Sequence, residues 1–273
     1  MKPQISIIVP TLNEEENIKN FLYSLEKQTS ANFEIIVVDG GSVDNTVSIA
    51  KSRAKVIVKK GLHEFPSRTL GAKAARGEIL LFTCADVTFP NDLLAKSSDK
   101  FRDQELIALT GPDIPSASLL AEIEYGVYNF LRFLFSILPR PKKRFSTSTN
   151  FLAVRKTCFD KTGGFTSDIN ADGIMGRWLS EMGKVKFSMS MKVFISPRRF
   201  LKMGFSRFNF HYLYVLENFF PFLSKTSFIK NLKNKSGAVH RDMHVHSREC
   251  HSHRSNRRKS KKLLAATTAN VSS

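Results

Sequence analysis

The sequence predicts an α/β fold, with a mostly parallel central sheet, helices on both of its faces and a basic C-terminal tail. Three observations carry this expectation. Apolar, β-branched runs recur through the first half, at Ile5 to Val9, Glu34 to Val38, Val56 to Val58 and Ile79 to Thr83. They are continuous rather than alternating, as in strands buried on both faces. Segments with helical spacing lie between them, which suits parallel strands joined by helical crossovers.

Each element has a local reason. Pro10 is expected to end the first strand, and Asn13 with Glu16 three residues on signals a helix start, ahead of Ile18, Phe21, Leu22 and Leu25 at helical spacing. After the second strand Gly40 and Gly41 form a turn, and Ser42 is placed to cap a helix carrying Val47 and Ala50. Thr69 to Ala75 reads as a short helix before the fourth strand. Further on, Leu106 to Thr110 reads as a strand, Leu119 to Leu138 as a helix, and Asn150 to Val154 as a strand leading to a short helix closed by Gly163-Gly164. Asp172 to Met182 reads as a helix with Ile174, Trp178 and Met182 four residues apart and Gly183 as its stop, and Val193 to Ile195 as a last strand.

With 273 residues, 42% of them hydrophobic, the chain has material for one core of about 200 to 250 residues. Its net charge of +18 is uneven, because Lys225 to Lys262 holds twelve Lys/Arg against two acids. That stretch reads as a disordered basic tail with an affinity for anionic surfaces, and no specific nucleic acid is expected as a partner. His240, His244, His246, Cys250, His251 and His253 match no closed four-ligand metal spacing. Cys84, Cys158 and Cys250 are odd in number and scattered, so reduced thiols and a cytoplasmic location are expected.

Two aromatic segments fall short of a membrane span. Leu119 to Pro139 contains Glu122, Glu124 and Arg132, and Phe208 to Leu223 contains His211, Glu217 and Pro221. No transmembrane helix is expected. Leu119 to Leu138, followed by the basic run Arg140-Pro-Lys-Lys-Arg144, suits either a helix lying in a membrane interface or a core-packed helix ending at a basic loop. The first alternative would make the protein peripheral on the inner face of the membrane.

Parallel sheets bind ligands beyond the carboxyl ends of their strands. The polar residues that follow the predicted strands are therefore expected to share one crevice: Thr11, Asn13 and Glu14, then Asp39 and Ser42, then Asp86. Neither Gly-x-Gly-x-x-Gly nor Gly-x-x-x-x-Gly-Lys-Ser/Thr follows the first strand, which excludes both common phosphate cradles.

The stretches "IIVPTLNEEENI", "FEIIVVDGGSVDNT" and "RTLGAKAARGEILLFTCAD", in that order and spacing, resemble the nucleotide-sugar-binding half of family 2 glycosyltransferases. The resemblance runs strongly over about residues 4 to 90. It extends more loosely to about 200 through "GGFTSDINADGIMGRWLSEMGKVKF" and "SPRRF". It implies an A-type glycosyltransferase fold over residues 1–224, with a donor half to about 110 and an acceptor half beyond. It also implies inverting transfer of a sugar from a nucleoside-diphosphate sugar to an acceptor, assisted by Mg²⁺ or Mn²⁺; the aromatic segments and basic runs, not the resemblance, point to an acceptor that is lipid-linked or part of the cell envelope.

Residue by residue, the resemblance implies that Asp39 accepts a hydrogen bond from the nucleotide base and that Pro10 and Thr11, with Asn13, Glu14 and Ser42 beside them, form the loop along base and ribose. Arg68 would reach the nucleotide, its alternative being a surface arginine, whereas Asp44 suits a helix N-terminus. The family's Asp-x-Asp is here Cys84-Ala85-Asp86, so the cation falls to Asp86 and diphosphate oxygens, with Cys84 too soft to be its ligand. Asp172 is the candidate catalytic base and Asp168 the second choice; Asp172 also suits a helix start. Arg198 and Arg199 either clamp diphosphate or an anionic acceptor, or form a solvated face. Two rivals remain: a sugar nucleotidyltransferase, whose Gly-rich basic loop is missing, and a non-enzymatic relative binding nucleotide or anionic surfaces.

Overall fold

The computed structural model describes residues 3–29, 32–115, 119–139, 147–167, 171–196 and Arg198. The expected tail with its histidines, the boundary at 224, Asp168, Arg199 and the run 140–144 lie outside the described residues.

β1 (Ile5–Thr11), β2 (Phe33–Asp39), β3 (Lys55–Val58) and β4 (Ile79–Phe82) form a parallel block in the order β3-β2-β1-β4. The sheet continues through β8 (Leu152–Arg155), β6 (Leu106–Thr110) and β9 (Lys184–Phe187) to seven strands. β8 runs antiparallel to both of its neighbours; every other pairing is parallel. A second sheet, β5-β10-β7, joins Val87–Thr88, Val193–Ile195 and Asp113–Pro115. The mostly parallel sheet is thus as expected, and it is buried on both faces. Ile8, Ile36, Val38, Leu80, Phe82, Leu152 and Val154 belong to one core cluster, while the alternate residues Ile7, Val9, Val37, Leu81 and Ala153 are equally buried.

β1 does not stop at Pro10. Ile8 directs its carbonyl toward the β4 side, where it accepts the Thr83 N–H, so alternation turns the Pro10 nitrogen to that side as well. The β1–β4 pairing ends at Ile8↔Phe82, so no ladder acceptor awaits the donor that proline lacks, and pairing with β2 continues to Thr11↔Asp39.

Among the described residues seven helices accompany the sheets. α1 (Glu15–Glu26) buries Ile18, Phe21, Leu22 and Leu25, the predicted stripe. α2 (Thr46–Lys51) starts later than the reading from Ser42. α3 (Glu64–Ala74) starts five residues before the expected Thr69, because Pro66 sits within its first turn, where its missing N–H costs nothing. α4 (Leu93–Lys100), β5, β7 and β9 were not anticipated. α5 (Leu119–Ile137) matches its prediction, and α6 (Lys156–Lys161) and α7 (Ala171–Met182) fall where expected. α7 is rotated relative to the predicted stripe: Ala171, Met175 and Leu179 are buried, whereas Met182 is exposed.

Gly164 closes α6 with φ 107°, and a Cβ there would lie 2.4 Å from the Thr69 side chain. The turn delivers Phe165 into a cluster with Phe82 and Phe159, ring centroids 5.0 and 5.6 Å away. Gly111, between β6 and β7, is tighter still, since a Cβ would lie 2.0 Å from the Met191 carbonyl oxygen. Backbone cannot yield as a flexible side chain can, so Gly111→Ala is expected to cost about 2–3 kcal/mol. That corresponds to roughly 5–10 °C of Tm by thermal denaturation at this chain size. An unchanged Tm would show that the β6–β7 connection is loose.

Candidate active site

The carboxyl ends of β1 and β2 are joined by side chains. Asp39, the last residue of β2, is fully buried. Its Oδ1 accepts the N–H groups of Gly41 (2.9 Å) and Ser42 (2.7 Å), and its Oδ2 accepts the hydroxyls of Thr11 (2.9 Å) and Ser42. Four donors fill a carboxylate's capacity. In this state Asp39 therefore holds the loop together rather than presenting the free acceptor expected from the sequence; a base N–H reaches it only if one donor turns away.

Asn13 is not the N-cap. It has φ 56°, a left-handed conformation that asparagine tolerates better than most residues, and its Oδ1 accepts the Val43 N–H at 3.0 Å. The Asn13 N–H donates to Ser42 Oγ (2.8 Å), which places Ser42 between the two loops and not at the start of α2. Asp44 serves the helix starts, accepting the N–H groups of Thr46 (3.0 Å) and Glu15 (3.1 Å).

Glu14 carries this edge across to Asp86. The Arg198 guanidinium donates to Glu14 through two nitrogens, at 2.9 and 3.2 Å, and its Nη2 also lies 3.6 Å from Asp86 Oδ2. Ser196 N–H donates to the Asp86 carbonyl at 3.0 Å, so the chain leaving β10 is tied to the residue it charges. Two carboxylates reaching for one cation offer the hard oxygens that Mg²⁺ or Mn²⁺ prefers, with water and phosphate completing the shell. Among the described residues no three His, Cys, Asp or Glu side chains cluster as a metal site. Two carboxylates are what a cation needs from the protein when a ligand's oxygens and water fill its other positions.

Arg68 is fully buried, which removes it from direct contact with a nucleotide in this state. It donates to Glu64 (2.7 Å), to the Thr83 carbonyl (3.3 Å) and to Cys84 Sγ (3.0 Å). Cys84 and Cys158 are thiols rather than halves of a disulfide. On the far side, Asp172 opens α7; its Oδ1 accepts the Gly173 N–H at 2.8 Å, and its carbonyl accepts the Thr147 hydroxyl at 2.7 Å. Burial pushes its carboxyl up to about 6, with the charge of Glu64 adding to the rise and the Gly173 N–H, Arg68 and Arg132 opposing it. A carboxylate near that value has the basicity for proton transfer near neutral pH.

The family model described as "Glycosyl transferase family 2" matches residues 6–159, more than half of the chain. The chain belongs to glycosyl transferase family 2. Among curated relatives it is 27% identical to the O-antigen chain rhamnosyltransferase WbaN of Salmonella anatum over 176 residues, 60% of this chain and 56% of that protein. It is 35% identical to a PGL/p-HBAD biosynthesis glycosyltransferase of Mycobacterium bovis over 102 residues, 34% of this chain and 40% of that protein. The chain therefore spans about half or less of these relatives' length. A solved mannosyltransferase, PcManGT from Pyrobaculum calidifontis in complex with GDP-Man and Mn²⁺, superposes with TM-score 0.61 at 18% identity, over 86% of this chain and 70% of that one. S. aureus TarS 1-349 in complex with UDP-GlcNAc superposes with TM-score 0.54 at 18% identity, over 71% of this chain and 58% of that one. At these identities the likeness establishes the fold.

For this family 2 chain the predicted residues Thr11, Asn13, Glu14, Asp39 and Ser42 form one hydrogen-bonded edge, and Arg198 ties it to Asp86. Arg68 is held instead at the end of β4, on the Thr83 carbonyl and Cys84 Sγ, and Pro10 lies within β1 beside Thr11. Glu64 and Thr147 were missed; Glu64, four residues before Arg68, was the findable one. A separate cleft lined by Phe33, Glu34, Ile35, Arg53, Lys55 and Arg76 opens at the amino ends of β2 and β3, away from these residues.

Proposed function

We propose that this chain is a glycosyltransferase moving a sugar from a nucleoside-diphosphate sugar to an acceptor hydroxyl with inversion. The observation that carries the reading is the junction of Glu14, Asp86 and Arg198, which gathers two acids and a cation at the carboxyl edge of a parallel sheet. Support for the donor class comes from the solved family likenesses, one holding GDP-Man and another UDP-GlcNAc.

The loop of Pro10, Thr11, Asn13 and Ser42, braced from below by Asp39, lies along base and ribose. Asp86 and Glu14 are the residues that would hold a divalent cation, Mg²⁺ or Mn²⁺, and that ion would offset the negative charge of the departing diphosphate. Arg198 gives up its contacts to these carboxylates and turns to a phosphate oxygen, a bidentate partner of the same kind. Asp172 takes the proton of the acceptor hydroxyl. The acceptor oxygen then bonds to the anomeric carbon as the bond from that carbon to the diphosphate breaks, and one such displacement inverts the centre. Arg68 and Cys84 keep the β4 end of the site in place.

A thermal-shift panel of nucleoside diphosphates and their sugars, with and without Mn²⁺, tests the reading, because a ligand of the folded form raises Tm. At one hundred times Kd the stabilisation is about 2.7 kcal/mol. One donor is expected to raise Tm by several degrees, more with Mn²⁺ than without. A flat response across the panel overturns the reading.

A further inference from the structure

We propose that α5 is a docking helix for an anionic bilayer, its outward apolar face sinking into the headgroup region so that the Asp172 side of the crevice meets an acceptor carried by a lipid. α5 is amphipathic in reverse. Its buried positions include Glu124, Asn129 and Arg132, whereas Leu120, Ile123, Val127, Phe130, Leu134 and Ile137, three and four residues apart, are between 37% and 64% exposed.

The helix cannot turn to hide that stripe. Asn129 accepts the Asp113 N–H at 3.0 Å and donates to the Asp113 carbonyl at 2.8 Å, acting as a strand partner for β7. Arg132 donates to Asp113 Oδ2 at 3.2 Å and to Thr110 Oγ1 at 2.9 Å, and both members of the ion pair are at most 2% exposed. Rotation would leave two buried charges unpaired, a loss that exposed leucines and phenylalanines cannot offset. Apolar rows that a fold holds outward mark a surface with a partner.

Charge selects the partner. The chain carries +18, and Arg140, Lys142, Lys143 and Arg144 follow α5 in the sequence with no acid among them. An apolar helix face followed in the sequence by a run of cations suits anionic headgroups. No helix among the described residues is long and apolar enough to cross a membrane, so α5 lies along the surface rather than through it. The anchor also leads to the candidate base: Ser148 Oγ donates to Asp113 Oδ2 at 3.1 Å, and the adjacent Thr147 donates to the Asp172 carbonyl at 2.7 Å. The lipid-borne acceptor rests on the transferase reading; the docking surface does not.

The test is flotation of the full chain with neutral phosphatidylcholine vesicles and with vesicles containing anionic phosphatidylglycerol, for the wild type and for Ile123→Ser/Phe130→Ser/Ile137→Ser. The wild type is expected to bind anionic vesicles about tenfold or more tightly than neutral ones, weakening with salt, and the triple variant to lose about tenfold or more. The variant should keep the wild-type Tm and donor-induced thermal shift, which separates a failed surface from a failed transferase. Three results overturn the proposal. One is equal binding to both vesicle types or equal binding by the variant. Another is a Tm drop of several degrees in the variant, which assigns the face to residues 199–224 of the chain. The third is a wild-type dimer that the variant makes monomeric, which assigns it to a second copy.

Discussion

Asp172→Asn is expected to lower kcat by about 10²–10⁴, the range for losing a positioned general base, while leaving the donor-induced thermal shift unchanged. Asparagine can still accept the Gly173 N–H, and the bond from Thr147 goes to the backbone, so the start of α7 is kept. The folded carboxyl is raised to about 6 by burial, above the usual aspartate value of about 3.9. Its contribution to stability is therefore fully present below about pH 4 and is lost as pH rises through about 6. Asp172→Asn should then gain on the order of 2 kcal/mol at pH 8 and nothing at pH 4. The same titration gives the wild type a kcat/KM that rises with pH through about 6, because the base must be ionised. Lower stability at pH 8 together with weakened donor binding would make Asp172 a structural residue.

Asp86→Asn is expected to abolish the part of the donor shift that requires Mn²⁺ and to reduce transfer by about 10²–10³, as when a preorganised charge at a leaving group is lost. Its side chain is 26% exposed and its fold-keeping bond to Ser196 is made by the backbone, so the variant should melt with the wild type. Glu14→Gln should weaken Mn²⁺ binding in the same direction, measured on the protein alone by the paramagnetic signal of free Mn²⁺. Full transfer by Asp86→Asn, or Mn²⁺ binding untouched in both variants, would remove the cation from these two acids.

The amino-terminal part of the large sheet was legible because its strands announce themselves. Ile5 to Val9, Glu34 to Val38 and Ile79 to Thr83 are unbroken apolar runs, and each is followed at once by polar residues that a parallel sheet sends to one edge. Pro10 was the local misreading, taken as a stop where its nitrogen happens to face no acceptor, and the helix expected from Thr69 begins at Glu64, with Pro66 in its first turn. β5, β7 and β9 are two to four residues long, too short for any periodicity.

Side-chain pairings across long separations left no trace in the sequence. Arg198 meets Glu14 from 184 residues away, and nothing in "SPRRF" says so. Arg132 looked like an interruption of an apolar segment, and it proved to be the bolt of α5. Asp39 was found by position, but its saturation by Thr11, Gly41 and Ser42 depends on rotamers that only packing sets.

The strand order also has a consequence for how the protein comes off the ribosome. β3, β2, β1 and β4 are neighbours in space and are complete by Phe82, whereas β8, which must slide in reverse beside β4, is not made until Arg155. Nascent chains tend to gain structure from the amino end. The β3-β2-β1-β4 block can thus form early, holding an open flank at β4 until some seventy further residues are translated, and α7, which carries the proposed base Asp172, follows later still.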